Sequence, residues 1–147
     1  MSDLYWVEPS FPPVPMELRE PLEVVCAREN LFPNKDYKPY TAHLCSAEIE
    51  AWAATWLDPK YCVYYQVVHS DLPIHQDVSV NDRKFNFIMD QGGSEVYTHW
   101  WAEEQGPRLE SAIFEVEKWY NFDIRTWHSV TGIEHPRLSI VIREDLD

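Results

Sequence analysis

Leu72-Pro73-Ile74-His75-Gln76-Asp77 is the stretch on which the reading of this chain turns. In an extended strand, residues i and i+2 point to the same side. His75 and Asp77 therefore face one way and Gln76 the other. An imidazole and a carboxylate side by side on one face of a strand are two ligands for a metal ion. Read singly they have plainer uses, as a hydrogen-bonded structural histidine and a turn-capping acid.

The chain holds six histidines from which a third ligand can come. His43 precedes a helix, His69 precedes a loop, His99 sits in an aromatic strand and His135 in a turn. His128 is preferred because it ends a β-type run, Ile124-Arg125-Thr126-Trp127-His128. It also has a cation at a useful remove: Arg137 follows across a turn, on a strand expected to return beside it, and Ser139 shares the face of Arg137. A guanidinium fork with a neighbouring hydroxyl clamps a carboxylate, although Arg137 taken alone reads more readily as a surface ion pair. Two His and one carboxylate close one face of an octahedron around Fe(II) and leave three positions open. The order His-x-Asp, then His, then Arg-x-Ser on successive strands is what an Fe(II) site with a 2-oxoacid cosubstrate needs.

Outward from these strands, the 147 residues are 45% hydrophobic and 14% aromatic, enough for one domain (1–147) with its own core. A formal net charge of −13, with the basic residues scattered, argues against nucleic acid and against an acidic membrane surface as partners. Cys26, Cys45 and Cys62 are odd in number and match no zinc spacing. Met1-Ser2-Asp3 opens no leader-like segment, and no apolar run reaches the ~20 residues of a membrane span. These features read as a reduced, cytoplasmic protein. The oligomeric state stays open.

Pro9, Pro12, Pro13, Pro15 and Pro21 punctuate residues 1–21, an extended arm expected to pack through Trp6 and Phe11 or to trail as a tail. Leu22 to Cys26 reads as a short strand and Asn30 to Tyr40 as loop. Ser46 to Leu57 is a helix: Ser46 is an N-cap, Ile49, Trp52, Ala53 and Trp56 form one apolar stripe, and Asp58-Pro59 stops it. From residue 61 the period changes to two. Strands are expected at Tyr61–Val68, Ile74–Val78, Arg83–Met89, Val96–Trp101, Ser111–Trp119, Phe122–Val130 and Arg137–Arg143. Turns are expected at Ser79–Asp82, Asp90–Gly93 and Thr131–Pro136, with an acidic loop over Ala102–Pro107. An arm, one or two helices packed outside, and seven or eight short strands over residues 61–143 describe a mainly β double-stranded β-helix, a cupin-like jelly roll. A plain antiparallel α+β sheet is the alternative.

Over roughly residues 61–143 the chain resembles the Fe(II)- and 2-oxoglutarate-dependent oxygenases, nearest to their aspartyl/asparaginyl β-hydroxylase-like branch. The resemblance rests on Pro73-Ile74-His75-Gln76-Asp77, the run Arg83-Lys84-Phe85-Asn86-Phe87, Phe122-Asp123, Trp127-His128-Ser129-Val130 and Pro136-Arg137-Leu138-Ser139-Ile140. It implies that His75, Asp77 and His128 bind Fe(II) and that Arg137 and Ser139 hold the distal carboxylate of 2-oxoglutarate. It further implies that Arg83 meets the other carboxylate and that the Tyr65 hydroxyl donates to the cosubstrate. Tyr97, His99, Trp100, Trp101 and Trp127 are candidates to line the substrate side. The implied activity is hydroxylation of a peptidyl side chain or a small metabolite. Two readings stand beside it: a cupin-like metal enzyme that uses no 2-oxoacid, and a non-catalytic jelly-roll binding module.

Overall fold

The computed structural model describes residues 2–32, 39–77 and 83–144. Ten strands and two α-helices run in the order β1 (Tyr5–Val7), α1 (Leu22–Cys26), β2 (Tyr40–Leu44), α2 (Ala47–Ala54), β3 (Cys62–Val68), β4 (Leu72–His75), β5 (Arg83–Asp90), β6 (Tyr97–Trp101), β7 (Arg108–Ala112), β8 (Trp119–Asp123), β9 (Trp127–Thr131) and β10 (Arg137–Arg143). One antiparallel sheet has the order β1-β8-β5-β10-β3-β2, and the other β4-β9-β6-β7. The architecture is the mainly β jelly roll with its helices outside.

Alternation along β3, β5 and β10 divides the six-stranded sheet into two faces. Tyr65, Val67, Phe87, Leu138, Ile140 and Ile142 lie on the outer face and share one core with Val25 of α1 and Ile49 of α2. Residues of the opposite parity, among them Gln66, Lys84, Asn86 and Arg137, point between the sheets. There Ile88, Trp100, Phe114, Tyr120, Phe122 and Ile124 form a second cluster, and Val68, Leu72, Val96 and Val130 a third. Burial of large apolar side chains at ~25 cal/mol per Å² holds the layers together.

α2 forms as its sequence dictates. The Ser46 hydroxyl accepts a hydrogen bond from the Ile49 N–H at 3.2 Å, and Glu48 and Glu50 sit in the first turn, where the helix dipole favours them. Leu22–Cys26 is a helix and not a strand. Pro21 supplies the extended residue before it, Glu23 lies in its first turn, and Val25 is its buried anchor. The loop expected from Asn30 ends in strand β2, which pairs with β3 through Ala42↔Gln66 and His43↔Tyr65. Residues 33–38 of that loop, and the turn expected at Ser79–Asp82, lie outside the described residues. The strand expected at Ile74–Val78 spans Leu72–His75, and of its expected extent residue 78 lies outside the described residues.

Two long strands of the sequence reading are each broken. Ser111–Trp119 contains the end of β7 and the start of β8, separated by a turn in which Glu117 has φ 68°. Phe122–Val130 contains the end of β8 and most of β9, because an Asp123 carboxylate oxygen accepts from the Thr126 N–H at 2.7 Å and turns the chain. These breaks and the additional strands β1 and β2 raise the count above the seven or eight expected.

The N-terminal arm is part of the fold. β1 adds to the edge of the larger sheet through Trp6↔Asn121. The Trp119 indole N–H donates to the Pro12 carbonyl at 2.7 Å, and the Phe11 ring packs 4.5 Å from that of Phe85. Trp6 stays half-exposed beneath the Arg83 guanidinium, 4.0 Å from its ring centroid. The cysteines are all free thiols. Among the described residues no helix is long and apolar enough to cross a membrane.

Candidate metal centre and anion pocket

β4 and β9 are neighbours in the smaller sheet, and their register sets His75 directly opposite His128. The two rings lie 4.3 Å apart. Each Nδ1 is 2.7 Å from the backbone carbonyl two residues earlier, Pro73 for His75 and Thr126 for His128. A carbonyl only accepts, so each Nδ1 carries a proton, and a neutral ring then presents a lone pair at Nε2. The His75 Nε2 is 3.5 Å and the His128 Nε2 3.9 Å from the same oxygen of Asp77. Asp77 is held in turn by its N–H, which donates to the Ile124 carbonyl at 3.0 Å.

One ligand atom from each of these three residues falls within 4.8 Å of the others. Cis ligands of an octahedral ion are ~3 Å apart when the bonds are ~2.1 Å. Closure around an ion therefore takes small side-chain movements. Two imidazole lone pairs and a carboxylate oxygen turned toward one point repel unless a cation stands between them, and backbone-tied histidines are the usual second layer of a metal site. The donor set fits a divalent transition-metal ion.

The charges agree with this reading. Burial pushes the Asp77 carboxyl up, but the neighbouring His75 ring, then the Lys84 ammonium and the His128 ring, outweigh it, and the net shift is well below the usual carboxylate range. Burial, then the neighbouring His75, lowers His128 to about 4. At neutral pH the centre is a carboxylate with an uncharged His128.

The three residues line a small pocket between the sheets with a cavity volume of about 40 Å³, room for a few water molecules, so a larger ligand enters only as the pocket walls move. Arg137 lines it from the first position of β10. The residue is 4% exposed, its Nε–H donates to the Gln91 carbonyl at 3.1 Å, and its Nη2 has no hydrogen-bond partner among the described residues. Desolvation lowers its pKa to about 10, so it remains a cation.

The structure brings His75, Asp77, His128 and Arg137 to one pocket and places the other expected residues elsewhere. Ser139 is fully buried on the face of Arg137, but its hydroxyl is directed to the Gln66 carbonyl at 3.5 Å. Arg83 takes the outer face of β5, where it donates to Asn121 Oδ1 and to the Asp3 and Leu4 carbonyls. Tyr65 likewise lies in the outer core, its hydroxyl accepting from the Glu20 N–H at 3.3 Å. Of the aromatic candidates, Trp100 is buried between the sheets. His99 lies on the far face of β6, bonded to the Ser111 and Thr131 hydroxyls, and alternation puts Tyr97 and Trp101 beside it. Trp127 takes the face of β9 opposite to His128.

Sequence reasoning missed the pocket residues Gln66 and Asn86 and two cations near the centre. Lys84, next to Arg83, faces inward and lies 3.4 Å from Gln66 Oε1. Arg143 ends β10 with its Nη1 4.0 Å from the second oxygen of Asp77. The signal for Arg143 was present: Arg137, Ser139, Val141 and Arg143 recur with period two.

No family model matches the chain, and no curated protein matches it. Among solved structures, it is similar to hydroxypropylphosphonic acid epoxidase from S. wedmorenis in complex with fosfomycin, at 15% identity over 86% of this chain and 58% of that one, with a TM-score of 0.49. It is also similar to an oxalate decarboxylase, at 10% identity over 82% of this chain and 29% of that one, TM-score 0.48. A third is EvdMO1, at 16% identity over 66% and 30%, TM-score 0.40. The chain spans less than three fifths of the length of the first of these structures and less than a third of the other two.

Proposed function

We propose that this chain is an Fe(II)- and 2-oxoglutarate-dependent dioxygenase that hydroxylates a peptidyl side chain or a small metabolite. The observation that carries the reading is the pairing, in one pocket, of the His75–Asp77–His128 centre with the buried, half-unpaired guanidinium of Arg137. A buried cation without a carboxylate is costly unless a ligand anion meets it. The distal carboxylate of 2-oxoglutarate would do so.

In this reading His75, Asp77 and His128 hold Fe(II), which when bound supplies the chemistry of dioxygen activation. The chain's own part is positioning. The Pro73 and Thr126 carbonyls fix the imidazole tautomers, and the Asp77 carboxylate stays ionised. Arg137 sets the direction of the cosubstrate, and the apolar walls formed by Val68, Leu72, Phe122 and Val130 exclude bulk water.

A metal enzyme whose own anionic substrate takes Arg137 is the second reading. It is favoured by Ser139, Arg83 and Tyr65, whose side chains are engaged away from the pocket. The two are separated by adding Fe(II) and then 2-oxoglutarate to the protein without oxygen. A weak visible charge-transfer band, lost in His75→Ala and weakened in Arg137→Ala, is the expected result. A protein that binds the metal and gives no band refutes the cosubstrate and leaves the second reading.

A further inference from the structure

Asn86 lies on the inner face of β5, opposite Val141 of β10 and Tyr120 of β8. The residue is 5% exposed and lines the pocket, and its Oδ1 has no hydrogen-bond partner among the described residues. Buried carbonyl oxygens of this kind are nearly always met by a donor. The register of β10 fixes its place: Arg137 begins the strand, Asn86 is opposite a residue four further on, and Arg143, beside Asp77, ends it. A ligand that reaches from Arg137 toward the metal centre passes Asn86.

2-Oxoglutarate meets one of these needs and not the other. Its carboxylates and ketone accept hydrogen bonds and donate none at neutral pH. It can satisfy the Arg137 Nη2 but not an acceptor oxygen.

We infer that Asn86 is a specificity residue that accepts a hydrogen bond from a hydroxyl, amino or amide N–H group of the substrate. The substrate is then a small polar molecule with such a donor close to its reacting carbon, and not a hydrocarbon or a donor-free acid. The inference rests on the anion pocket of the proposed function and concerns the acid that takes Arg137, so it supports the second reading, in which that acid is the substrate itself, over 2-oxoglutarate. A site built to hydrogen-bond a donor discriminates against the analogue that lacks it, because the acceptor is otherwise left dry.

The test uses three acids of one skeleton on the metal-free full chain: glutarate, 2-oxoglutarate and 2-hydroxyglutarate in both enantiomers. They differ only in having no group, an acceptor or a donor at carbon 2. Binding is measured by calorimetry for wild type, Asn86→Val, Asn86→Asp and Arg137→Met, each first checked for a native near-UV spectrum.

The expected result is one enantiomer of 2-hydroxyglutarate binding about tenfold more tightly than glutarate to wild type. That ratio should fall to within about twofold in Asn86→Val. Asn86→Asp can only accept at this position and should keep the ratio, whatever its effect on absolute affinity. Equal binding of all three acids to wild type, dependent on Arg137, would overturn the inference and leave the proposed function standing. So would a hydroxyl preference that survives Asn86→Val or is lost in Asn86→Asp. No binding of any of the acids would overturn the anion pocket and this inference together.

Discussion

His75 and His128 meet across the β4–β9 pair with rings 4.3 Å apart, each tied at Nδ1 to the carbonyl two residues before it. The same local loop is thus used twice, and both Nε2 atoms are aimed at one oxygen of Asp77. His75→Ala or His128→Ala should each lower the affinity for Fe(II), or for Co(II) as a stable substitute, by at least ~100-fold, because two remaining donors cannot define a face of the ion. Equilibrium dialysis of each variant checks this. An affinity within about threefold of wild type would remove that histidine from the centre.

The depressed pKa of His128 makes a prediction for the metal-free protein. The ring titrates at about 4 in the fold against 6.5 in the unfolded chain, so between these values the unfolded state binds more protons. Its contribution is fully present above pH 6.5 and is lost as the pH falls through about 4. The full shift corresponds to ~3 kcal/mol. Urea unfolding at pH 7, 5 and 4 should show stability falling with pH, and His128→Gln should remove part of that slope. An unchanged slope in the variant would place the acid lability elsewhere.

Arg137→Met separates binding from folding. The guanidinium is buried, and its Nη2 has no partner among the described residues. Replacing a buried, poorly paired charge by an apolar side chain of similar length is often neutral or stabilising by ~1–2 kcal/mol. The variant should therefore unfold at the same or a higher urea concentration while losing at least ~30-fold in affinity for 2-oxoglutarate. A variant that unfolds earlier and still binds the acid would make Arg137 a structural residue.

Much of this was legible in the sequence, and the failures have local causes. That His75, Asp77, His128 and Arg137 come to one pocket was legible because period two and a hairpin-like spacing constrain them. Arg83 was expected from the resemblance, and it is its neighbour Lys84 that faces the pocket. A strand's parity cannot be counted through a connecting segment, and an error of one residue exchanges the two faces. Phe85 and Phe87, which share the side of Arg83, were the available clue: that side is the apolar core beneath α2. α1 was missed because five residues are too few to show a helical period. The turn at Asp123–Thr126 was missed because it uses a side-chain cap and neither Gly nor Pro.

The turn that delivers Arg137 depends on two glycines. Gly132 has φ +92°, and a Cβ there would lie 2.1 Å from the Glu95 carbonyl oxygen. Gly92 has φ +86°, and its carbonyl accepts from the Glu134 and His135 N–H groups, which locks this turn to the loop after β5. Backbone on backbone cannot yield as a flexible side chain can, so Gly132→Ala carries both a left-handed strain and a clash. It should cost at least ~2 kcal/mol, seen as an earlier urea midpoint. Because the turn fixes the start of β10, affinity for 2-oxoglutarate should fall with it, while affinity for the metal, whose ligands lie on β4, β9 and the segment after β4, should fall by less. Loss of metal and 2-oxoglutarate binding in equal measure would mean that the two halves of the pocket are not separately supported.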